Sequence, residues 1–169
     1  MQANNAVPTV KRRLTSMIYE ILLAVAALFL PLLIVEFATQ AAITPFAWHI
    51  RQATVFVVLG IYFVHQWTRK GQTLAMQTWR IKVVRPGFAS LPVGTAMLRY
   101  LLAWLWVVPA ILLDYLLHLE RWHALYALLG GVLAWSLTAF LDKDRQFLHD
   151  KLAGTRLVQL PKPEKQLKQ

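Results

Sequence analysis

Along the chain, apolar residues gather into four long runs separated by short polar or basic stretches. A helix crosses a hydrocarbon core about 30 Å thick with roughly 20 mostly apolar residues, at about 1.5 Å of rise each. Residues 14–35, 96–117 and 122–141 have that length. The run over 54–67 is shorter and spans only if it extends back to Phe46, with Arg51 snorkelling its charge to the membrane boundary. The pattern predicts an all-α membrane protein, a four-helix transmembrane bundle. Lys11, Arg12 and Arg13 precede the first run as they would in a secretory signal, but the run is too long, Glu20 interrupts it and no small-residue cleavage site follows. It is read as a retained helix.

The stretch 69–94, RKGQTLAMQTWRIKVVRPGFASLPVG, is too polar to span and too apolar for a plain linker. Leu74, Met76, Trp79 and Ile81 are expected to lie along the membrane interface, with Arg80 and Lys82 turned to water. Within it WRIKVV alternates large apolar and basic residues, the period of a strand, and Pro86-Gly87 closes it with turn chemistry. GTRLVQL, residues 154–160, alternates in the same way. A lone strand leaves its backbone groups unpaired, so the two segments are expected to pair as a small β element on the cytoplasmic face. The competing reading is two independent loops. Residues 1–10 read as a flexible lead-in and 159–169 as a solvated tail, framing one membrane domain over 11–158.

Composition agrees with the pattern: of 169 residues 57% are hydrophobic and only 15% charged. The formal net charge of +10 would suit a nucleic-acid binder, but its distribution argues otherwise. Of the 18 Lys and Arg residues, only Arg51 and Arg121 fall in the two connections assigned to one side. This asymmetry is the positive-inside signature and puts both termini in the cytoplasm, so the expected partner is the lipid bilayer and not nucleic acid.

Candidate chemistry is sparse. There is no cysteine, hence no disulfide or thiolate site. His49, His65, His118, His123 and His149 lie at the ends of different elements, so no metal or other cofactor is expected. His149 and Asp150 are adjacent, which suits base and orienter poorly, and no Gly-x-Ser-x-Gly exists, so the chain is not expected to be an enzyme.

Ionisable residues inside a span cost about 2.5 to 3.5 kcal/mol each at the helix centre and need a partner or a wet cavity. Arg13, Ser16, Glu20, Ala24, Ala27 and Pro31 share one helical stripe, whose small residues let another helix approach and turn Glu20 into the bundle. Arg13 stands two turns from Glu20, so the carboxylate needs another partner or a proton. In the third run Arg99, Ala103, Trp106, Ala110, Asp114 and His118 share a stripe, with Pro109 available as a kink. Asp114 and His118, four apart, are expected to meet over one turn as a secondary polar pair. Asp150 is expected to accept hydrogen bonds from Arg13 or Arg99, which makes FLHDKLAGTRLV, residues 147–158, a clasp on the last helix, with Gly154 at its turn. The candidate network is therefore Arg13, Glu20, Arg99, His149 and Asp150.

Four blocks carry a family resemblance. RLTSMIYE over 13–20 pairs an arginine with an acidic residue seven positions on, GQTLAMQTWRIKVV covers 71–84, LRY covers 98–100 and LHDKLAGT covers 148–155. The chain resembles the RDD family of small multi-span membrane proteins, named for one arginine and two aspartates. Glu20 replaces the family's first aspartate, and Ala75 and Met76 stand where a Gly-Lys pair is frequent, so that lysine's role does not carry over. The resemblance implies a bundle in the cytoplasmic, inner membrane of bacteria, often proposed to take part in transport. Two functions are expected to compete. One is transport of ions or small solutes with Glu20 in a buried polar network; the other is a non-catalytic accessory or assembly module that binds a membrane partner protein or further copies of itself.

Overall fold

A computed structural model describes residues 7–106, 108–118, 122–123, 126, 129–131 and 146–161. Most of the fourth apolar run, residues 1–6 of the expected lead-in and residues 162–169 of the expected tail lie outside the described residues.

The first run forms α1, Val10–Ala38, 29 residues or about 43 Å of helix. Gln40 and Ala41 then take left-handed backbone angles (φ 51° and 52°), and the Ala41 N–H reaches back to the Glu36 carbonyl, which stops the helix. Thr44 accepts a hydrogen bond from the Ala47 N–H at 3.2 Å and Pro45 opens α2, Pro45–Lys70, in the pairing of cap and first-turn proline that starts helices well. The second span is thus a full-length helix. The Arg51 guanidinium grips Glu36 of α1 at 2.6 and 2.8 Å and the Ala42 carbonyl at 3.1 Å, tying the hairpin at its turn.

Gly71 ends α2 at φ 68°, and a Cβ there would lie 2.9 Å from the Val83 carbonyl oxygen, so conformation and space both call for glycine. Thr73 caps the short α3, Leu74–Thr78, and the chain enters β1, Ile81–Val84. Beyond the Pro86-Gly87 turn come α4, Val93–Ala103, a 3₁₀ turn, Trp104–Trp106, and α5, Val108–Leu117. The third run is therefore not one continuous helix. Pro109 has no N–H for the Leu105 carbonyl and its ring crowds that turn, which is where the 3₁₀ turn Trp104–Trp106 replaces α-helical bonding. After α6, Leu148–Leu152, Gly154 at φ 65° turns the chain into β2, Arg156–Gln159. β1 and β2 pair antiparallel, Ile81 opposite Gln159 and Val84 opposite Arg156, which is the pairing the alternation predicts.

Neither outer edge of this two-stranded sheet is bare. On β1 the Val83 N–H bonds the Gly71 carbonyl at 2.7 Å and the Gln72 amide donates to the Ile81 carbonyl at 2.7 Å. On β2 the buried Gln146 side chain accepts from the Leu157 N–H at 3.0 Å and donates to its carbonyl at 3.4 Å, standing in for a third strand.

α1 packs against α2 and α3, α2 against α4, and α4 against α6. The well-buried core lies at one end of these helices, where Trp67, Met76, Ile81, Val83, Leu91, Ala96, Tyr100, Phe147 and Leu157 meet under the sheet. Met76 and Ile81 belong to this core and not to an interface layer, because α3 and β1 fold over the helix ends; Trp79 packs beside them, and Leu74 alone of the four stays exposed. Away from this cap the helices are apolar outward. Ile21, Leu22, Val25, Phe29, Leu30 and Ile34 of α1 all stand exposed, a face that water does not favour and lipid does. Lys11–Ala38 and Pro45–Lys70 are each long and apolar enough to cross a membrane.

Candidate functional site

Polar side chains collect at the capped end in two groups. The first is the expected clasp. Arg99 of α4 reaches Asp150 of α6 with Nη2 2.5 Å from Oδ1, and both side chains are almost wholly buried. The Arg99 guanidinium also lies 4.3 Å from the centre of the Trp67 ring of α2, so one cation joins three helices. Isolated burial of either charge would cost several kcal/mol; the short contact and the aromatic face offset much of it. α6 is built to deliver the carboxylate: its chain reverses at once, the Thr155 N–H and hydroxyl both bonding the Asp150 carbonyl at 2.8 and 3.1 Å.

His149 sits with Nε2 3.4 Å from the same Asp150 oxygen, its ring stacked on Phe147 with centres 5.7 Å apart. Burial pushes the imidazole down to about 4, against the pull of the Asp150 charge and with the help of Arg99, so near neutral pH it is an uncharged wall of the clasp. Arg13 joins from the other side. Its guanidinium lies 5.8 Å from the Phe147 ring centre and its Nε donates to the Pro8 carbonyl at 3.1 Å. Of the five residues named from sequence, Arg13, Arg99, His149 and Asp150 converge around Phe147 and Trp67.

Glu20 forms the second group. It faces inward on the expected stripe of α1, two turns or about 10 Å along the axis from Arg13. Its partners are hydroxyls: Tyr62 of α2 donates to Oε1 at 2.8 Å, and Thr73 donates to Oε2 while its own oxygen accepts from the Met76 N–H. Glu20 thereby fixes the start of α3 as well as its own place against α2. Sequence reading missed Tyr62, Thr73, Trp67 and Gln146. A tyrosine hydroxyl within an apolar run and a threonine three residues before Met76, at a cap position, were the available signals.

The expected Asp114–His118 pair lies outside the described residues, because the Asp114 side chain does. α5 ends at Leu117, and His118 lies just beyond it, exposed and at φ 46°. Among the described residues no three His, Asp or Glu side chains come together as a metal would need.

No curated protein and no solved structure matches the chain. A family profile does, over residues 7–154, a stretch that takes in Arg13, Glu20, Arg99 and the α6 clasp. On that match the chain belongs to the RDD family.

Proposed function

We propose that this protein crosses the cytoplasmic membrane four times, with both termini and the capped end in the cytoplasm, and carries ions or small solutes with Glu20 as the group that exchanges a proton or cation. The observation that carries this reading is the Glu20 carboxylate, enclosed by the Tyr62 and Thr73 hydroxyls, with no cation on it among the described residues. Hydroxyls rotate: they donate to a carboxylate and accept from a carboxylic acid, so the site keeps its hydrogen bonds when a proton arrives. The same oxygens suit a hard cation. The orientation is supported by charge. Lys11, Arg12, Arg69, Lys70, Arg80, Lys82, Arg85, Lys151 and Arg156 belong to the capped end, whereas Arg51, the one basic residue described at the other end, is neutralised by Glu36. A bundle of four helices leaves little room for a midplane site, and association of several copies would supply it.

The test is cation-driven pH change in liposomes containing purified wild type or Glu20→Gln. Wild type is expected to dissipate the gradient and Glu20→Gln to fall to the rate of empty liposomes. Equal rates for wild type and empty liposomes would exclude transport. The second reading, an accessory module that binds a membrane partner, draws on the Arg99–Asp150 contact, whose charges face inward and hold helices together. It predicts that Glu20→Gln alters stability or partner recovery and leaves flux unchanged.

A further inference from the structure

A cleft of about 500 Å³ opens on the flank of the cap, between the first turns of α4 and the turn from α6 into β2. Gly94, Thr95 and Leu98 form one wall and Leu152 and Gly154 the other, with Arg85 at its head. Arg85 is held flat, hydrogen-bonded to Thr95 and lying 4.6 Å from the centre of the Phe88 ring. Those contacts use one of its five N–H groups and one face, and among the described residues no carboxylate pairs with it. The walls below it are greasy and uncovered: Leu98 is 45% exposed and Leu152 55%.

We infer that this cleft binds one anionic phospholipid, its phosphate on Arg85 and its upper acyl chain along Leu98 and Leu152. Charge complementarity selects the occupant. An unpaired guanidinium beside a hydroxyl suits a phosphate, and no described acid lines the cleft to receive the ammonium of a zwitterionic headgroup. A free phosphate would leave both leucines in water, whereas a lipid covers them, and α4 runs from this cleft into the apolar third run, so the cleft lies at headgroup depth. The volume falls within the range usual for small-ligand sites. The site is separate from Glu20 and does not depend on the transport reading.

The test is native mass spectrometry of the full chain released from detergent micelles that contain equal phosphatidylglycerol and phosphatidylcholine. Wild type is expected to keep one phosphatidylglycerol in preference to phosphatidylcholine. Arg85→Gln removes the charge. Gly94→Leu adds a side chain to the cleft wall at a position where a Cβ meets nothing within 4 Å. Arg85→Gln is expected to weaken retention about tenfold, the scale of one hydrogen bond to a charged group, and Gly94→Leu to weaken it by occupying the cleft, while Arg12→Gln binds as wild type does. Equal retention of the two lipids, or retention by Gly94→Leu at the wild-type level, would overturn the inference. So would displacement by inorganic phosphate at the lipid's own concentration, which marks a soluble-anion site, or a dimer in place of the lipid adduct, which marks a second copy as the occupant.

Discussion

Asp150 is fully buried, and the side chains around it answer to that burial. Asp150→Asn keeps the shape but leaves Arg99 as a buried cation against the Trp67 ring without its carboxylate. It is expected to destabilise by about 3 to 5 kcal/mol, read as a lower melting temperature in detergent, and an unchanged melting temperature would show that the ion pair holds nothing. Arg99→Met with Asp150→Leu removes both charges together and is expected to cost less than Asp150→Asn alone, because no orphaned charge remains. His149 makes a pH prediction at the same place. Burial holds its pKa near 4, below the ordinary value of 6.5, so between those values the unfolded chain binds a proton that the folded chain refuses. Stability contributed by His149 is therefore present above about 6.5, falls as pH drops through that window by up to about 3 kcal/mol, and levels off below about 4. His149→Phe retains the ring against Phe147 and lacks the titration, so the difference between its thermal profile and that of wild type isolates the histidine; parallel profiles from pH 7 to 4 would refute the assignment. That Asp150 meets an arginine was legible in sequence because charges are few and Arg13, Arg99 and Asp150 lay at one end of the predicted bundle; which arginine was not, and the structure selects Arg99. The partners of Glu20 were not, because Tyr and Thr are common and nothing local distinguishes the two that meet it.

Among the elements, legibility followed length and periodicity. α1 and the β1–β2 pairing were readable from a long apolar run and from alternation that recurs in WRIKVV and GTRLVQL. α3 and α6, five residues each, are too short to show a helical period; the Thr73 side chain caps α3, whereas α6 starts at Phe147 without a side-chain cap. The break before Pro109 shows why proline in a predicted span marks a boundary for the helix as often as a kink. The Glu36 partner of Arg51 was not legible because it lies across a turn whose geometry depends on left-handed Gln40 and Ala41. At the sheet, side-chain amides replace the missing neighbouring strands. Gln146→Leu removes the partner of both the N–H and the carbonyl of Leu157, each costly to leave buried and unbonded, and is expected to destabilise by about 1 to 3 kcal/mol. Hydrogen–deuterium exchange gives a local readout. The Leu157 amide should exchange faster in the variant while amides in the middle of α2 keep their protection, and an unchanged rate at Leu157 would mean that the Gln146 contact contributes no protection to the strand.

Among the described residues, the arrangement is a tightly packed cap with basic residues around it, on helices whose outer faces are apolar, and if those helices cross a bilayer the cap lies on one side of it or the other. The cap's basic residues argue that it faces the cytoplasm, where anionic headgroups and the membrane potential both favour positive charge. The chain offers a clean way to decide, since it contains no cysteine and any thiol introduced is the only one. Ile43 lies in the hairpin turn between α1 and α2 and is fully exposed, and Ser90 is exposed in the connection from β1 to α4, on the cap. Ile43→Cys and Ser90→Cys therefore report the two ends separately, and neither side chain is in the core. With a membrane-impermeant maleimide applied to intact spheroplasts, Ile43→Cys is expected to label at once and Ser90→Cys only after the membrane is permeabilised. The reverse pattern would invert the protein and put Glu20, the clasp and the lipid cleft at the outer surface. Labelling of both sites in sealed spheroplasts would mean that α1 and α2 do not separate the two ends across the bilayer, and the four-span reading would fall with it.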